Sequence, residues 1–140
     1  MTQTTDKISI WDPLRRKEVA LTPEERVRQW FIGVLRDSAG VPVHMMMSEV
    51  AMEYGQSRKK YRADIVVYGK GGRPAMIVEC KRPEVELSKE VLEQALRYSM
   101  VLPADYYIMT NGSKTYVAHK ENGEVRLLDK LPIYKEICQQ

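Results

Sequence analysis

The chain contains only two cysteines, Cys80 and Cys138, which are too few for a disulfide framework or a cysteine-rich zinc site. No apolar run approaches the roughly 20 residues that a membrane-spanning helix needs. The first six residues have neither the basic start nor the apolar stretch of a secretory signal peptide. These absences predict a cytoplasmic protein with free thiols and no membrane partner.

An excess of charge of one sign is also lacking over the whole chain. The 22 lysine and arginine residues face 19 acidic residues, and a formal net charge of +3 is too small to indicate nucleic-acid binding by itself. A length of 140 residues, 44% of them hydrophobic, favours one globular domain. We predict a single domain over 1–140, with an N-terminal arm (1–21), a core (22–112), and C-terminal strands with a tail (113–140).

The core opens with a strong signal for a helix start. Thr22 is a candidate N-cap, Pro23 suits the first helical position, and Glu25 completes the spacing of a capping box. Gly40 and Pro42 end the helix. Apolar residues at helical spacing predict its buried face: Val27, Trp30, Phe31, Val34 and Leu35.

The following segments alternate between strand and helix patterns. Ser88 is a candidate cap for a second helix, and Asn-Gly pairs at 111–112 and 122–123 predict hairpin turns beside two further short strands. The order of helix, three strands, helix and strand predicts an α+β fold with one core. Runs rich in β-branched and apolar residues predict the main strands at 43–53, 61–68, 75–81 and 105–110.

Two acidic residues are predicted to face each other across one hairpin. If Gly71 and Gly72 form a two-residue loop, paired residue numbers sum to 143, and Asp64 lies opposite Glu79 on one sheet face. Opposed carboxylates repel, and a divalent cation between them removes the repulsion. Oxygen ligands at this spacing suit Mg²⁺ or Mn²⁺, with the backbone carbonyl of Cys80 as a candidate third ligand. Lys81 is two residues beyond Glu79 and therefore shares its face.

The same residues allow a structural interpretation. Asp64 could end its strand by bonding backbone N–H groups, and Lys81 could pair with Asp64. A charged side chain at the end of a strand as apolar as 76–78 loses hydration at a large cost in free energy, unless it is paired or binds a ligand. Spacing alone leaves a metal site and a structural ion-pair cluster equally open.

A set of short motifs occurs in a specific order at 22–29, 62–67, 77–83, Gln94 with Tyr98, and 110–112. In this order they resemble the PD-(D/E)xK nuclease superfamily, and more closely the N-terminal nuclease domain of type I restriction enzyme R subunits (HsdR N-terminal-like). Ala63 departs from the proline of the superfamily's name. No Walker motif G-x-x-x-x-G-K-[ST] occurs, which implies a stand-alone relative or an excised domain rather than a whole restriction subunit.

The resemblance implies a restriction-endonuclease-like fold, with a mixed central sheet, an αβββαβ core and extra C-terminal strands. It implies that Asp64 and Glu79 are metal ligands and that Lys81 is the catalytic lysine. Many members add a glutamate from the first helix. The helical wheel favours Glu24, because Glu25 lies away from the inward face and is explained by the capping box.

The resemblance also implies a substrate contact from the second helix. Gln94 and Tyr98 fit the QxxxY motif of this branch and lie one helical turn apart on one face. They would border the site and contact nucleic acid. A helix-to-sheet hydrogen bond with core packing is an equally open interpretation of the pair.

Positive charge is concentrated around the predicted site. Eight cationic residues between 54 and 82 are opposed only by Asp64 and Glu79, and residues 15–17 form a second basic cluster. Beside a phosphodiesterase-like site, such cations favour contacts to the phosphate backbone, which do not read base sequence. The residues to which we assign these contacts are Arg58, Lys59, Lys60, Arg62 and Arg82.

The sequence thus predicts a Mg²⁺-dependent (or Mn²⁺-dependent) endonuclease that hydrolyses DNA phosphodiester bonds. One alternative is a catalytically silent nucleic-acid-binding module of the same fold. Another is a protein-interaction module that works with a separate motor or with restriction-modification subunits. Whether two copies form a homodimer for double-strand cutting is left open.

Overall fold

A computed structural model describes residues 8–138 of the chain, so residues 1–7 of the predicted arm and residues 139–140 of the tail lie outside the described residues. Within that range, no helix is long and apolar enough to cross a membrane. The elements in chain order are β1 (Ser9–Asp12), β2 (Lys17–Ala20), α1 (Pro23–Asp37), β3 (Met46–Tyr54), β4 (Lys59–Tyr68), β5 (Pro74–Cys80), α2 (Lys89–Val101), β6 (Tyr106–Thr110), β7 (Thr115–Glu121), β8 (Glu124–Leu128) and α3 (Tyr134–Ile137).

The central sheet has six strands in the order β3-β4-β5-β6-β7-β8. The pair β5–β6 is parallel, with α2 in the crossover between them, and the other neighbouring pairs are antiparallel. From α1 to β6 the chain therefore has the predicted αβββαβ order, with β7 and β8 added at one edge. This α+β architecture confirms the expected restriction-endonuclease-like fold.

The two long helices contribute to two different hydrophobic clusters of the sheet. Because side chains alternate along a strand, Ile65 and Val78 belong to the cluster that contains α1, whereas Val66 and Ile77 belong to the cluster that contains α2. All four side chains are fully buried. Because both faces of β4 and β5 are covered in this three-layer packing, their sequences contain continuous apolar runs.

The first helix begins as predicted but buries a different set of residues. The side chain of Thr22 accepts a hydrogen bond from the N–H of Glu25 at 3.1 Å, and Pro23 is the first helical residue. Ile32 is buried, whereas Trp30 keeps 47% of its surface exposed. The prediction that Trp30 belongs to the buried face is therefore wrong.

The turn between β4 and β5 is longer than predicted. Residues 69–73 connect the strands, and the N–H of Gly69 donates to the carbonyl of Arg73 at 2.7 Å. Tyr68 pairs with Pro74 instead of Ala75, so the predicted two-residue loop is wrong. The register shifts between Val67 and Tyr68, and this shift restores the predicted pairing in the rest of the hairpin. The inner pairs, Val67 with Met76 through Ile65 with Val78, keep the predicted register.

Charged residues connect the β1–β2 hairpin to the sheet domain. Arg15 donates to Asp12, to Glu25 at 2.7 Å and to Glu49 of β3 at 3.1 Å. Glu25 also accepts from Gln29 at 3.0 Å and is buried. The expectation that Glu25 lies away from the inward face is therefore wrong. Arg15 is likewise engaged in internal ion pairs and does not form part of a free basic cluster.

A short C-terminal helix, which no sequence signal predicted, closes the chain against the sheet. The N–H of Tyr134 donates to the carbonyl of Ala39 at 2.8 Å, and its hydroxyl donates to the carbonyl of Tyr68 at 2.8 Å. Ile137 is buried in the cluster that contains α1. These long-range contacts fix the four-residue helix, which is too short to be stable by itself.

Candidate active site

A cavity of about 440 Å³ gathers residues from α1, β4, β5 and α2. Its wall contains all four residues predicted to be catalytic and both residues of the QxxxY motif. The three carboxylates come from separate elements, which explains why no short sequence window contains the site. The lining residues are Glu24, Tyr61, Arg62, Asp64, Glu79, Cys80, Lys81, Val85, Val91, Gln94, Ala95, Tyr98 and Met109.

Asp64 forms a hydrogen bond between its side chain and the neighbouring strand. Its Oδ2 accepts from the N–H of Cys80 at 2.6 Å, just beyond the last paired residues of β4 and β5. Its own carbonyl accepts from Arg28 at 3.3 Å. The bond to a backbone N–H that the structural interpretation expected is present, but Asp64 does not end its strand, because β4 continues to Tyr68. Asp64 also lines the cavity.

The electrostatic environment of Asp64 disfavours its charged form. Burial raises the pKa of this carboxyl to about 6, and the negative charges of Glu24 and Glu79 act in the same direction. The Cys80 N–H and the Arg28 guanidinium act against this rise. A positive charge that entered the cavity would therefore favour the ionised carboxylate.

Glu79 is held by the two strands that flank its own. Its Oε1 accepts from the hydroxyls of Tyr61 (β4) and Tyr107 (β6), each at 2.7 Å, and the two hydroxyl oxygens are 3.2 Å apart. Its Oε2 lies 2.8 Å from the Nζ of Lys81. Burial would raise the pKa of Glu79, but the hydrogen bonds from Lys81, Tyr107 and Tyr61 hold it below its ordinary value.

The two tyrosines are the residues of this site that the sequence did not reveal. Tyr107 reads as an ordinary strand residue, yet its ring is buried and its hydroxyl reaches a carboxylate. A buried tyrosine hydroxyl needs a hydrogen-bond partner. This requirement is the one available signal, but it does not identify the partner.

Lys81 pairs with Glu79. The pairing of Lys81 with Asp64, which the sequence allowed, is not formed. Burial would lower the pKa of its ammonium group, but the hydrogen bond and charge of Glu79, with the charges of Asp64 and Glu24, raise it. The side chain is 36% exposed and lines the cavity. It therefore presents a positive charge at the cavity wall.

The remaining predicted contacts occupy different positions around the cavity. Glu24 is half-buried on the first turn of α1, and Gln94 is exposed on the wall formed by α2. The ring of Tyr98 packs against Tyr61, with centroids 5.3 Å apart, and edge-on against Tyr54 at 5.9 Å. The interpretation that Tyr98 packs in the core is thus confirmed, and its ring also borders the cavity.

The structure brings only one of the five proposed phosphate-contact residues into the cavity wall. Arg62 lines the cavity and pairs with Glu49 at 2.6 Å. Arg82 is exposed and pairs with Glu84 at 3.2 Å. The other three, Arg58, Lys59 and Lys60, are exposed at the end of the β3–β4 hairpin.

The oxygen donors at the cavity fit a hard divalent cation. Within residues 8–138, no three His, Cys, Asp or Glu side chains lie close enough together to hold a metal ion by themselves. Mg²⁺ commonly binds through one or two carboxylates and keeps several waters, and Asp64 and Glu79 line one cavity. The thiol of Cys80 is buried, and burial raises its pKa, so only its backbone carbonyl is a candidate ligand.

Comparison with known families relates this chain to restriction enzymes. Residues 23–132 match the model of the family described as "Type I restriction enzyme R protein N terminus (HSDR_N)". The chain belongs to this HsdR N-terminal family. The match includes every predicted site residue and leaves out the β1–β2 hairpin, which precedes residue 23. No match was found among curated proteins.

Two solved structures share the fold of this HsdR N-terminal-like domain. A fragment from Vibrio vulnificus YJ016, provisionally described as an HsdR subunit of a type I restriction enzyme, is 19% identical with a TM-score of 0.61 over 85% of this chain. The present chain spans only 25% of that protein. A crystal structure from Anabaena variabilis ATCC 29413, provisionally described as a nuclease belonging to DUF820, is 12% identical with a TM-score of 0.54. That match covers 99% of this chain and 87% of the other.

Proposed function

We propose that this chain is a metal-dependent nuclease domain that hydrolyses DNA phosphodiester bonds with Mg²⁺ or Mn²⁺. The observation that carries the proposal is the convergence of Glu24, Asp64, Glu79 and Lys81 on one cavity from three separate elements. Carboxylate oxygens supply ligands for a hard cation, and an ammonium group beside them supplies charge for a phosphoryl group.

Each side chain has a role that follows from its position. Asp64 and Glu79, with the carbonyl of Cys80, would hold the ion. When bound, that ion supplies positive charge beside the scissile phosphate and lowers the pKa of a coordinated water. Lys81 would orient the attacking water or neutralise charge that develops on the phosphate oxygens. Tyr107 and Tyr61 would keep the Glu79 carboxylate in one orientation.

Substrate contacts extend outward from the cavity. Gln94 and Arg62 line its wall and would contact the nucleic acid, with the ring of Tyr98 beside them. Arg58 in the β3–β4 turn and Lys59 at the start of β4 would bind phosphates without reading the bases. These contacts position a DNA strand and provide no element that reads a base sequence.

A cleavage assay tests the proposal. Linear, nicked, branched and single-stranded DNA are incubated with Mg²⁺ or Mn²⁺, and wild type is compared with Glu79→Gln and Lys81→Ala. Both variants should lose at least about 100-fold in rate, since each removes an interaction with the developing charge. Glu86→Gln and Lys89→Ala are matched controls, because both residues are exposed and lie outside the cavity wall. Cleavage by both site variants at the wild-type rate would refute the site.

The contacts of Lys81 favour a second candidate function, a nucleic-acid-binding module that does not cleave. Lys81 pairs with Oε2 of Glu79, and the Cys80 N–H donates to Oδ2 of Asp64, so both carboxylates already have internal partners. Titration with Mn²⁺, followed by electron paramagnetic resonance, separates the two candidates. Binding that disappears in Asp64→Asn supports the enzyme. DNA binding without Mn²⁺ binding at saturating concentrations supports the silent module.

The family relationship also suggests partners. We propose that the domain works within a type I restriction system, either inside a longer R-like chain or beside a separate motor subunit. The support is the family match together with the 25% of the HsdR fragment that this chain spans. Co-purification with an ATPase subunit would favour the second arrangement, and full DNA cleavage by the isolated chain would count against it.

A further inference from the structure

An exposed tryptophan lies on α1, outside the site described above. Trp30 keeps 47% of its surface exposed, although Phe31 and Leu35 of the same helix are fully buried. Its indole contacts the ring of Phe31, with centroids 5.7 Å apart and ring planes tilted by 57°. Arg26 is also exposed and lies one helical turn before Trp30, on the same face. The helix therefore presents an anchored aromatic ring and a guanidinium group side by side.

These two side chains form one wall of a groove of about 280 Å³. The opposite wall is the β6–β7 turn, whose shape is fixed by Asn111. Its Oδ1 accepts from the N–H groups of Ser113 at 2.9 Å and Lys114 at 2.8 Å. Because the turn is held by its own hydrogen bonds, this wall of the groove is preformed. Its lining residues are Arg26, Val27, Trp30, Pro83, Asn111, Gly112 and Ser113.

The groove lies beside the candidate active site. Glu24 lines the cavity and Val27 lines the groove, one turn apart on α1. Likewise Lys81 lines the cavity and Pro83 lines the groove. The side-chain amide of Asn111 donates to the carbonyl of Val85, a cavity residue, at 2.9 Å, so the two depressions share a wall. The cavity and the groove are therefore adjacent.

The charges of the two depressions differ. The cavity wall contains three carboxylates and two cationic side chains, whereas the groove lining contains one guanidinium and no carboxylate. An aromatic face beside a cation is the combination that binds single-stranded nucleic acid, where the base stacks and the phosphate meets the charge. In a duplex both faces of each base are already stacked, so the indole has no free face to contact. The groove therefore matches an unpaired nucleotide better than a paired one.

We propose that this groove binds an unpaired nucleotide of a DNA strand whose neighbouring phosphate occupies the cavity. The base stacks on Trp30 and the phosphate contacts Arg26. The preferred substrates are then DNAs with a single-stranded segment, such as overhangs, forks and flaps. This inference rests on the proposed nuclease function, since it takes the cavity as the place of the scissile phosphate.

Equilibrium binding in EDTA tests the groove without requiring cleavage. Fluorescence anisotropy compares a labelled single strand of about 12 nucleotides, within the site sizes of such grooves, with a blunt duplex of the same length. Trp30→Ala should weaken single-strand binding about tenfold and duplex binding less than about twofold, whereas Trp30→Phe should keep most of the affinity. Arg26→Ala should reduce the salt slope for the single strand by about 0.7.

A matched control is available in the second tryptophan of the chain. Trp11 is 56% exposed on β1 and lines neither the cavity nor the groove, so Trp11→Ala should leave both affinities unchanged. In Trp11→Phe, the remaining tryptophan emission comes from Trp30 and should be quenched when the single strand binds. Wild-type affinity of Trp30→Ala for the single strand, or equal losses for strand and duplex, would overturn this inference alone. A wild-type chain that bound no DNA in EDTA would also overturn this inference, whereas the proposed function is tested separately by the cleavage assay with Mg²⁺ or Mn²⁺.

Discussion

The hydroxyl of Tyr107 donates a hydrogen bond of 2.7 Å to the Oε1 of Glu79, across the parallel pair β5–β6. Tyr61 donates to the same oxygen from the opposite side, on the antiparallel neighbour β4. Glu79 is thus held between its two neighbouring strands, with Oε2 directed at Lys81. A carboxylate held by two donors on one oxygen retains a single oxygen for a cation, whether that is Lys81 or a metal ion.

Removal of the Tyr107 hydroxyl should destabilise the fold. Tyr107→Phe withdraws one donor from a buried carboxylate, and hydrogen bonds to charged groups contribute about 1.5–3 kcal/mol. Urea unfolding measures this loss. Tyr134→Phe is the matched control, since that hydroxyl donates to a neutral carbonyl at 2.8 Å and its loss should be about 1 kcal/mol. Equal stability of Tyr107→Phe and wild type would show that the contact does not hold Glu79.

Asp64→Asn should abolish cleavage without destabilising the chain. Burial and the charges of Glu24 and Glu79 raise the pKa of Asp64 to about 6, so its ionised form is disfavoured in the fold. Asparagine keeps an oxygen that accepts from the Cys80 N–H and carries no charge. In EDTA at pH 8, Asp64→Asn should unfold at a denaturant concentration equal to or above that of wild type. Asp64→Ala loses the acceptor and should be less stable than Asp64→Asn by about 1–3 kcal/mol.

The ion pair in the β1–β2 hairpin should make stability depend on acid pH. Burial would raise the pKa of the fully buried Asp12, but hydrogen bonds from Arg15 and the N–H of Leu14 hold it below its ordinary value of 3.8. The stabilisation is therefore complete above the unfolded pKa and is lost as the pH falls through the lower folded pKa.

Thermal unfolding of Asp12→Asn checks this dependence. Its melting temperature should lie below that of wild type at pH 7, because one partner of a buried pair is lost. The difference should shrink as the pH falls from about 4 to about 2, where the wild-type carboxylate is protonated. Asp37→Asn is the control, since Asp37 pairs with Arg36 on the exposed surface and contributes little. A difference that stayed constant down to pH 2 would contradict the assignment.

The β3–β4 hairpin should contribute phosphate contacts that do not depend on base sequence. Arg58 has a positive φ of 51°, so Arg58→Asn removes the charge with less backbone strain than alanine would introduce. Arg58→Asn and Lys59→Ala should each weaken duplex binding evenly across sequences and reduce the salt slope by about 0.9. Arg36→Ala, on the exposed end of α1, is the control. An unchanged salt slope in both variants would remove the hairpin from the DNA footprint.

The parts of the fold that were predicted correctly depend on local chemistry. The side chain of Ser88 accepts from the N–H of Val91 at the start of α2, as its position indicated. Asn122 and Gly123 both adopt positive φ, 53° and 79°, which a tight hairpin turn requires and which these two residue types tolerate. The inner register of β4 and β5 was correct because the alternation of buried residues fixes strand pairing more strongly than the length of the turn.

The errors arose where a distant partner decides the environment of a side chain. Glu25 is buried because Arg15, ten residues earlier, extends from the β1–β2 hairpin to meet it. Trp30 is exposed because the sheet contacts the helix through Ile32 instead, and helical periodicity alone accommodates either residue. Neither outcome can be read from α1 in isolation.

The sequence by itself determined which chemistry is available: an aspartate, a Glu-Cys-Lys triplet and a first-helix glutamate in an order typical of one nuclease superfamily. It also determined the strands and helices that carry them, since capping, turns and periodicity act over a few residues. Only the tertiary structure decided that Tyr61 and Tyr107 hold Glu79 and that Lys81 pairs with Glu79 instead of Asp64. Those choices depend on distances between separate strands, which the packing of the whole sheet sets and no local pattern encodes.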